Sequence, residues 1–425
     1  MITDMDANSF ATHSLTDERI LRILFAALEA VDPYKAVQKH LPNLSGRVYG
    51  LAIGKASIPM LTALAEAYPL SGALAISKHA SSSPSNLFPV FLGSHPIPDS
   101  RSLEAGTRVL DFVSALNAED TLVCLISGGG SALVTAPYNS ISLEDMQSLT
   151  SLLLACGARI DEINTIRRSL DQVKGGGLAR ATKAKIISLI LSDVIGNPLE
   201  AIASGPTFPN PTTNADALMV LKKYKIDEQV SESVLQTLES DSLLSEIWEQ
   251  APRLQNLIIG DNRLAAEAAL EQAQREGFHA EILTNELQGE ARDMGFNLAH
   301  HLRVSAERLT RPFCLIAGGE TTVTITGNGK GGRNQELALA AMHGLKGLEN
   351  VMLIALATDG EDGPTDAAGA VVTGESAQRA EMLGVDAAGH LSRHDAYVCF
   401  DKIGDLLKPG PSGTNVNDLI FLIGL

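Results

Sequence analysis

The strongest constraint in this chain is a stretch that changes character twice, Leu122–Val134 (LVCLISGGGSALV). Buried-type residues from Leu122 to Ile126 give way to Ser127, to the glycines Gly128, Gly129 and Gly130, to Ser131, and then to apolar residues again. A short apolar run bounded by glycine reads as a strand buried on both faces, as in parallel sheets. Consecutive glycines admit positive φ and put no Cβ between a ligand and the backbone. Bare N–H groups in such a turn form an anion-binding concavity. The hydroxyls of Ser127 and Ser131 add donors suited to a phosphate or a carboxylate. Taken alone, the same residues also describe a plain strand-to-loop corner, so the rest of the chain has to decide.

The pattern recurs. Val48–Ile53 reads as a strand ending in Gly54-Lys55-Ala56-Ser57, with a helix to about Tyr68. That placement carries the Lys55 ammonium over the C-terminal edge of a sheet, where open α/β sheets take ligands. Ala73–Ser77 and Pro89–Gly93 are further strands. In Ser94-His95-Pro96-Ile97-Pro98-Asp99-Ser100 two prolines stiffen a loop that presents His95 and Asp99 before a helix capped near Ser100. Ser142-Leu143-Glu144-Asp145 is a capping box opening a helix to about Cys156. Asn164, Arg167, Arg168 and Lys174 then gather before Gly175-Gly176-Gly177, which reads either as a basic helix ending in glycines and reaching toward an anion or as a solvated helix with a glycine C-cap. Ile186–Leu191 is a strand whose end carries Asp193, placed to bind Mg²⁺ or to accept a hydroxyl proton. Upstream, Thr16–Val31 has helical periodicity with Thr16 as the expected N-cap.

After Ala251-Pro252, read as a boundary, strand and helix alternate again from Leu257. Phe313–Ala317 is a strand, Gly318-Gly319-Glu320 a turn, and Thr321–Thr326 (TTVTIT) a β-branched strand. Gly327–Glu336 then combines four glycines, among them Gly331 and Gly332, with Lys330 and Arg333 at a helix start, a second candidate anion cradle. The G-x-x-x-x-G-K-[ST] register of a Walker A loop is absent. Val351–Ala357 is a strand followed by alternating acids and glycines. There Asp359 and Asp362, together with Asp193, are the candidate metal ligands. No EF-hand register is present.

These readings predict an α/β protein of two domains. A parallel-sheet α/β domain spans 1–252, a smaller α/β domain spans 253–425, and a cleft lies between them. The 425 residues, at about 150 per domain, suggest two or three domains. A net charge of −17 argues against nucleic acid or an anionic membrane as partner. The four cysteines form no C-x-x-C pair, and Cys124 and Cys314 sit in apolar runs, which suggests inert thiols in a reducing cytoplasm. The first ten residues lack the features of a signal peptide. Anion cradles, isolated cations and strand-end acids are the parts that phosphoryl transfer needs. The residues alone stop at phosphoryl transfer or phosphate-ligand binding.

In order along the chain, the runs IGKAS (Ile53–Ser57), SHPIPD (Ser94–Asp99), SGGGSAL (Ser127–Leu133), INTIRRSLDQVKGGGLA (Ile163–Ala179), LSDVIGN with IASGPT (Leu191–Thr207), GGETTV with GKGGRNQEL (Gly318–Leu337), ATDGEDGPTDAAGA (Ala357–Ala370) and GTNVNDL (Gly413–Leu419) resemble the glycerate 2-kinase family. The resemblance covers nearly the whole chain. It implies a Rossmann-like glycerate kinase domain, a C-terminal MOFRL region over about 310–420, and ATP- and Mg²⁺-dependent conversion of D-glycerate to 2-phosphoglycerate. The family's lysine after the first glycine turn falls on Lys55, and the arginine of its GGRNQE run falls on Arg333. Where the family pattern ends in aspartate, LSDVIGN has Asn197, which keeps an oxygen acceptor and loses the charge. Some relatives are labelled hydroxypyruvate reductase, but the turn after the first strand lacks the G-x-G-x-x-G of a dinucleotide site. A phosphosugar-sensing module would explain the glycine turns but not the acid-rich DGEDGPTD segment. Oligomeric state is not legible.

Overall fold

A computed structural model describes residues 5–79, 87–95, 97–138, 140–240 and 253–425. The chain forms two compact units, one of Pro33–Ile259 and one of Met1–Asp32 with Gly260–Leu425.

The first unit is built on a six-stranded sheet. Its strands are β1 (Val48–Ile53), β2 (Gly72–Ser77), β3 (Val90–Leu92), β4 (Thr121–Ile126), β5 (Lys185–Leu191) and β6 (Leu254–Gly260), in the order β3-β2-β1-β4-β5-β6. The pairs β1–β2, β2–β3, β1–β4 and β4–β5 are all parallel. Every residue of β4 is buried, as a central parallel strand requires. Helices such as Ser57–Ala67 and Ser100–Ser114 cross between strands, and Val109 and Leu133 pack with Leu51, Ile53, Leu122 and Ile126 in the core. The order reverses between β1 and β4, which is where a doubly wound sheet opens a crevice at its carboxyl edge. Ile53 pairs with Ile126, so two glycine turns leave the sheet side by side. The helices Leu143–Ala155, Ile160–Leu170, Asn214–Lys223 and Glu232–Glu239 share a separate core around Leu149, Ile166 and Leu221.

The second unit has a mixed sheet of β7 (His279–Leu287), β8 (Phe313–Gly319), β9 (Val351–Ala357), β10 (Gly369–Thr373), β11 (Leu406–Leu407) and β12 (Asp418–Gly424), ordered β11-β10-β9-β12-β8-β7. The last strand runs antiparallel between β8 and β9, with Asp418 opposite both Gly319 and Ala357. The start of β12 therefore meets the ends of β8 and β9. The helix Arg333–Leu345 is buried on nearly every side, which explains its run of Ala and Leu.

Several expectations change. The division expected at 252/253 rests on Ala251-Pro252, which lies outside the described residues. The strand that follows completes the first unit's sheet as β6. The first 32 residues join the second unit because their partners are there. Arg22 pairs with Glu276, Arg19 stacks on Phe278 at 5.0 Å, and Thr414 donates to the Val31 carbonyl. The N-cap of the first helix is Asp17, which accepts from the Arg19 amide, not Thr16. Thr321–Thr326 is not a strand; one bridge ties Thr322 to Glu290. Cys124 and Cys314 are buried, and burial pushes both thiols well up. No described helix is long and apolar enough to cross a membrane.

The expected basic helix ends at Leu170, before the glycines. Lys174 is 3% exposed, and its ammonium lies 2.5 Å from the fully buried Asp171. Asp171 also accepts from Thr135 Oγ1, from the Ala136 and Val173 amides and from the Lys174 amide. Lys174 is thus a structural cation. Removing one member of such a pair strands a buried charge. Lys174→Met should therefore cost about 3–5 kcal/mol in urea unfolding, with Asp171→Asn/Lys174→Met, which removes both charges and keeps a side-chain acceptor, costing less. A single-variant loss under about 1 kcal/mol would contradict this reading of the pair.

Candidate active site

In the first unit the two glycine turns at the strand-order reversal are locked together. The Lys55 amide donates to the Gly128 carbonyl at 2.9 Å, the Ser127 amide to the Ile53 carbonyl at 2.9 Å, and the Ala56 amide to Ser127 Oγ at 3.0 Å. Ser127 is 1% exposed, and its Oγ braces the two turns by accepting from the Ala56 amide. A Cβ on Gly54 would lie 2.2 Å from Ser127 Oγ, so the close approach demands glycine.

Gly129 takes φ 82°, and a Cβ there would fall 3.2 Å from the His95 ring and 3.4 Å from the Lys55 stem. A Cβ on Gly128 would lie 2.0 Å from Asp193 Oδ2. The fold thus brings Lys55, His95, Asp193 and the triplet Gly128–Gly130 to one place. Among the described residues no acceptor meets the amides of Gly128, Gly129, Gly130 or Ser131. Four consecutive unspent N–H groups beside a lysine form a concavity for an anion.

The second triplet differs in this respect. Its Gly175, Gly176 and Gly177 amides are spent on the carbonyls of Ser204, Gly205 and Lys174. It packs under a turn where Ala203 and Ser204 take φ 50° and 60°, strained values for residues with a Cβ. That turn aims Ser204 Oγ at Ser131 Oγ, 2.7 Å away, and at Asn164 Oδ1, 3.2 Å away. Arg168 binds Asn210 Oδ1, the Glu200 carbonyl, Thr165 and Thr212, and so holds loops together. Asp99 is the N-cap of Ser100–Ser114 and pairs with Arg101 at 2.8 Å, so its expected ligand role gives way to capping. Pro96 lies outside the described residues.

Electrostatics follow from these contacts. Burial, then the Lys55 and Lys78 charges, push the His95 imidazole down to about 4. Burial pushes the Asp193 carboxyl up, and the Lys55 ammonium partly offsets this.

In the second unit the site residues gather where β8, β9 and β12 meet. Arg333 grips Asp418 with two bonds, Nε–Oδ2 at 2.5 Å and Nη2–Oδ1 at 3.0 Å, and reaches Glu320 at 2.7 Å with Nη1. Asp362 is 2% exposed and accepts from the Asn334 amide at 3.1 Å and the Gln335 amide at 2.8 Å. A Cβ on Gly332 would lie 2.2 Å from Asp362 Cγ. At this helix start, where an anion was expected, Asp362 serves as the cap, each of its oxygens accepting a backbone amide. Burial, then the nearby Asp418 charge, push its carboxyl up to about 7.

Lys330 also departs from expectation. Its ammonium sits 3.9 Å from the Tyr397 ring centre and its amide donates to Asp395. The amides of Gly331 and Gly332 have no acceptor among the described residues. Asp359 is partly buried and raises the Asp418 carboxyl through its charge, so the two acids are neighbours. Asp418 and Glu320, both partners of Arg333, were missed in the sequence; only register against Gly319 and Ala357 reveals Asp418's place. Among the described residues no cluster of three His, Cys, Asp or Glu side chains has metal-binding geometry.

Comparison with known proteins covers the same two regions. Residues 19–239 match a family described as a domain of unknown function, DUF4147, and residues 313–418 match the MOFRL family. D-glycerate 2-kinase of Thermotoga maritima is 43% identical over 94% of this chain and 96% of its own length. Glycerate 2-kinase of Pyrococcus horikoshii is 41% identical over 95% of this chain and 96% of its own. The crystal structure of glycerate kinase from Thermotoga maritima superposes with a TM-score of 0.89 at 42% identity, covering 96% of this chain and 99% of that one.

The depressed His95 imidazole has a visible consequence. A folded chain that protonates near pH 4, against about 6.5 when unfolded, binds fewer protons than the unfolded chain between those values. His95 should therefore draw stability down as pH falls from about 6.5 toward 4. NMR of the imidazole should show no inflection between about pH 5 and 8; a midpoint near 6.5 would mean that the ring is solvated.

Proposed function

This chain belongs to the glycerate kinase family, its DUF4147 and MOFRL regions in the family's order, and from that premise we propose that it transfers the γ-phosphoryl group of ATP to the 2-hydroxyl of D-glycerate. The observation that carries the reading is the row of unspent amides from Gly128 to Ser131 beside Lys55. A phosphoryl group in flight spreads charge over its equatorial oxygens, and fixed N–H dipoles with a cation stabilise that charge without reorganising. Lys55 supplies the cation. Asp193, partly buried at the end of β5 and raised by burial, suits a base that takes the hydroxyl proton late in a loose transition state. His95, held neutral, offers a hydrogen bond without adding charge.

Mg²⁺ is held in phosphotransferases by one or two carboxylates plus the substrate's own phosphates, where it neutralises phosphate charge. Asp359, partly buried beside Asp418 in the second unit, is the acid we propose for that role. In the same unit Arg333 is the cation we assign to phosphate oxygens. It is held in a fixed pose by Asp418, and Glu320, which is 43% exposed, is the partner it would exchange for an anion.

Reduction of hydroxypyruvate is the competing activity. The turn after β1 has a single glycine and then Lys55, with no glycine pair for a pyrophosphate to approach. With ATP, Mg²⁺ and D-glycerate the protein should release ADP, and Lys55→Met should lower kcat at least about 10²-fold, the scale of one lost charge-stabilising donor. Arg333→Lys keeps the charge, loses the planar fork, and should be similarly impaired. NADH oxidation with hydroxypyruvate and no ADP would overturn the proposal.

A further inference from the structure

Two polar side chains on the helix Ile160–Leu170 have donors left over. Asn164 is 7% exposed; its Oδ1 accepts from Ser204, yet its Nδ2 donates to no described residue. Arg167 is half-buried, and its guanidinium hydrogen-bonds to no described residue. The neighbouring Asp171 attracts it through charge but forms no hydrogen bond with it. Asp171 already accepts from Lys174 Nζ, Thr135 Oγ1 and three backbone amides, which fills the roughly four lone-pair sites a carboxylate offers. Arg168, by contrast, makes four side-chain hydrogen bonds.

Position follows from the helix. Residues three apart share a face, so Arg167 lies next to Asn164, and the charge of Asp171, just past the helix end, reaches it. Asn164 reaches Ser131 through Ser204, and Asp171 holds Thr135 and Ala136. Arg167 therefore looks onto the segment that begins with the open amides of the glycine triplet. Lys174 lies close enough to repel it, so the spot carries excess positive charge in a protein of net charge −17. A half-desolvated guanidinium with no hydrogen bond is costly unless an anion completes it.

We propose that Arg167 and the Asn164 amide bind the carboxylate of the acceptor substrate, so that a 2-hydroxy acid is held with the hydroxyl next to its carboxylate facing the triplet. This deepens the kinase reading and rests on it. A planar fork matches a carboxylate with two parallel bonds, and Asn164 Nδ2 supplies a further donor. Arg167 would set specificity for an acid; the phosphoryl chemistry stays with the groups around Lys55.

The test compares glycerate with its uncharged primary amide as acceptor. The wild type should prefer the acid by about 10²-fold in kcat/KM, the worth of hydrogen bonds to a charged group. Arg167→Met should collapse that preference at least tenfold, with KM for glycerate rising more than kcat falls. Arg167→Lys should recover part of it. Thermal stabilisation by glycerate without ATP, absent with the amide, should disappear in Arg167→Met. If the wild type discriminates and both variants keep the full acid preference, Arg167 is not the carboxylate site while the kinase reading stands. If the wild type phosphorylates neither acceptor but shows acid-specific stabilisation that Arg167→Met abolishes, the kinase reading falls and the carboxylate site stands. If the wild type shows neither, both are overturned.

Discussion

Four backbone amides in a row, Gly128 to Ser131, have no acceptor among the described residues, and much of the first unit is arranged to keep them that way. Backbone donors away from bulk water are almost always paired. Four open donors in one turn, two of them at a helix start, are completed by water or by a ligand. The strand-order reversal supplies the place. With β1 and β4 adjacent and in parallel register, their two turns emerge together. Ser127 ties one to the other, and Lys55 is delivered against Gly129. The left-handed Gly129 and the contact of Asp193 on Gly128 exclude any side chain at those positions.

The two triplets show why composition alone misleads. Gly128–Gly130 and Gly175–Gly177 look alike as text. One is open, and the other is closed by the carbonyls of a strained turn at Ala203 and Ser204. That second triplet still serves the site, because the turn it supports places Ser204 between Ser131 and Asn164. The basic residues divide in the same way. Lys174 is buried in an ion pair, Arg168 binds loops, and Arg167 alone of the three makes no side-chain hydrogen bond to a described residue.

The parallel strands were legible because a fully buried strand writes itself as an unbroken apolar run, as in β4 and β9. The Ser142–Asp145 capping box was legible because its logic is local. What stayed hidden depended on distant partners. Asp362 reads as a metal ligand among glycines, and only tertiary packing shows it capping the helix Arg333–Leu345. TTVTIT has strand propensity but gains one bridge only, since β-propensity yields to the partners available. The first 32 residues could not be assigned to the second unit without seeing helix Glu18–Ala30 beside Asn262–Arg275. Lys55 and Asp193 were identified correctly as strand-end residues, and their meeting at Gly128 and Gly129 is a product of the strand order.

An acid anchored at its carboxylate, with an open amide cradle beside it, commits the account to one hydroxyl, the one next to that carboxylate. Phosphorus NMR of the product formed from D-glycerate and ATP reads this directly. Phosphate on the 2-oxygen couples to a single carbon-bound proton and gives a doublet, which is the predicted signal. A triplet, from phosphate beside the two protons of the terminal carbon, or the absence of any phosphorylated acid, would contradict the account.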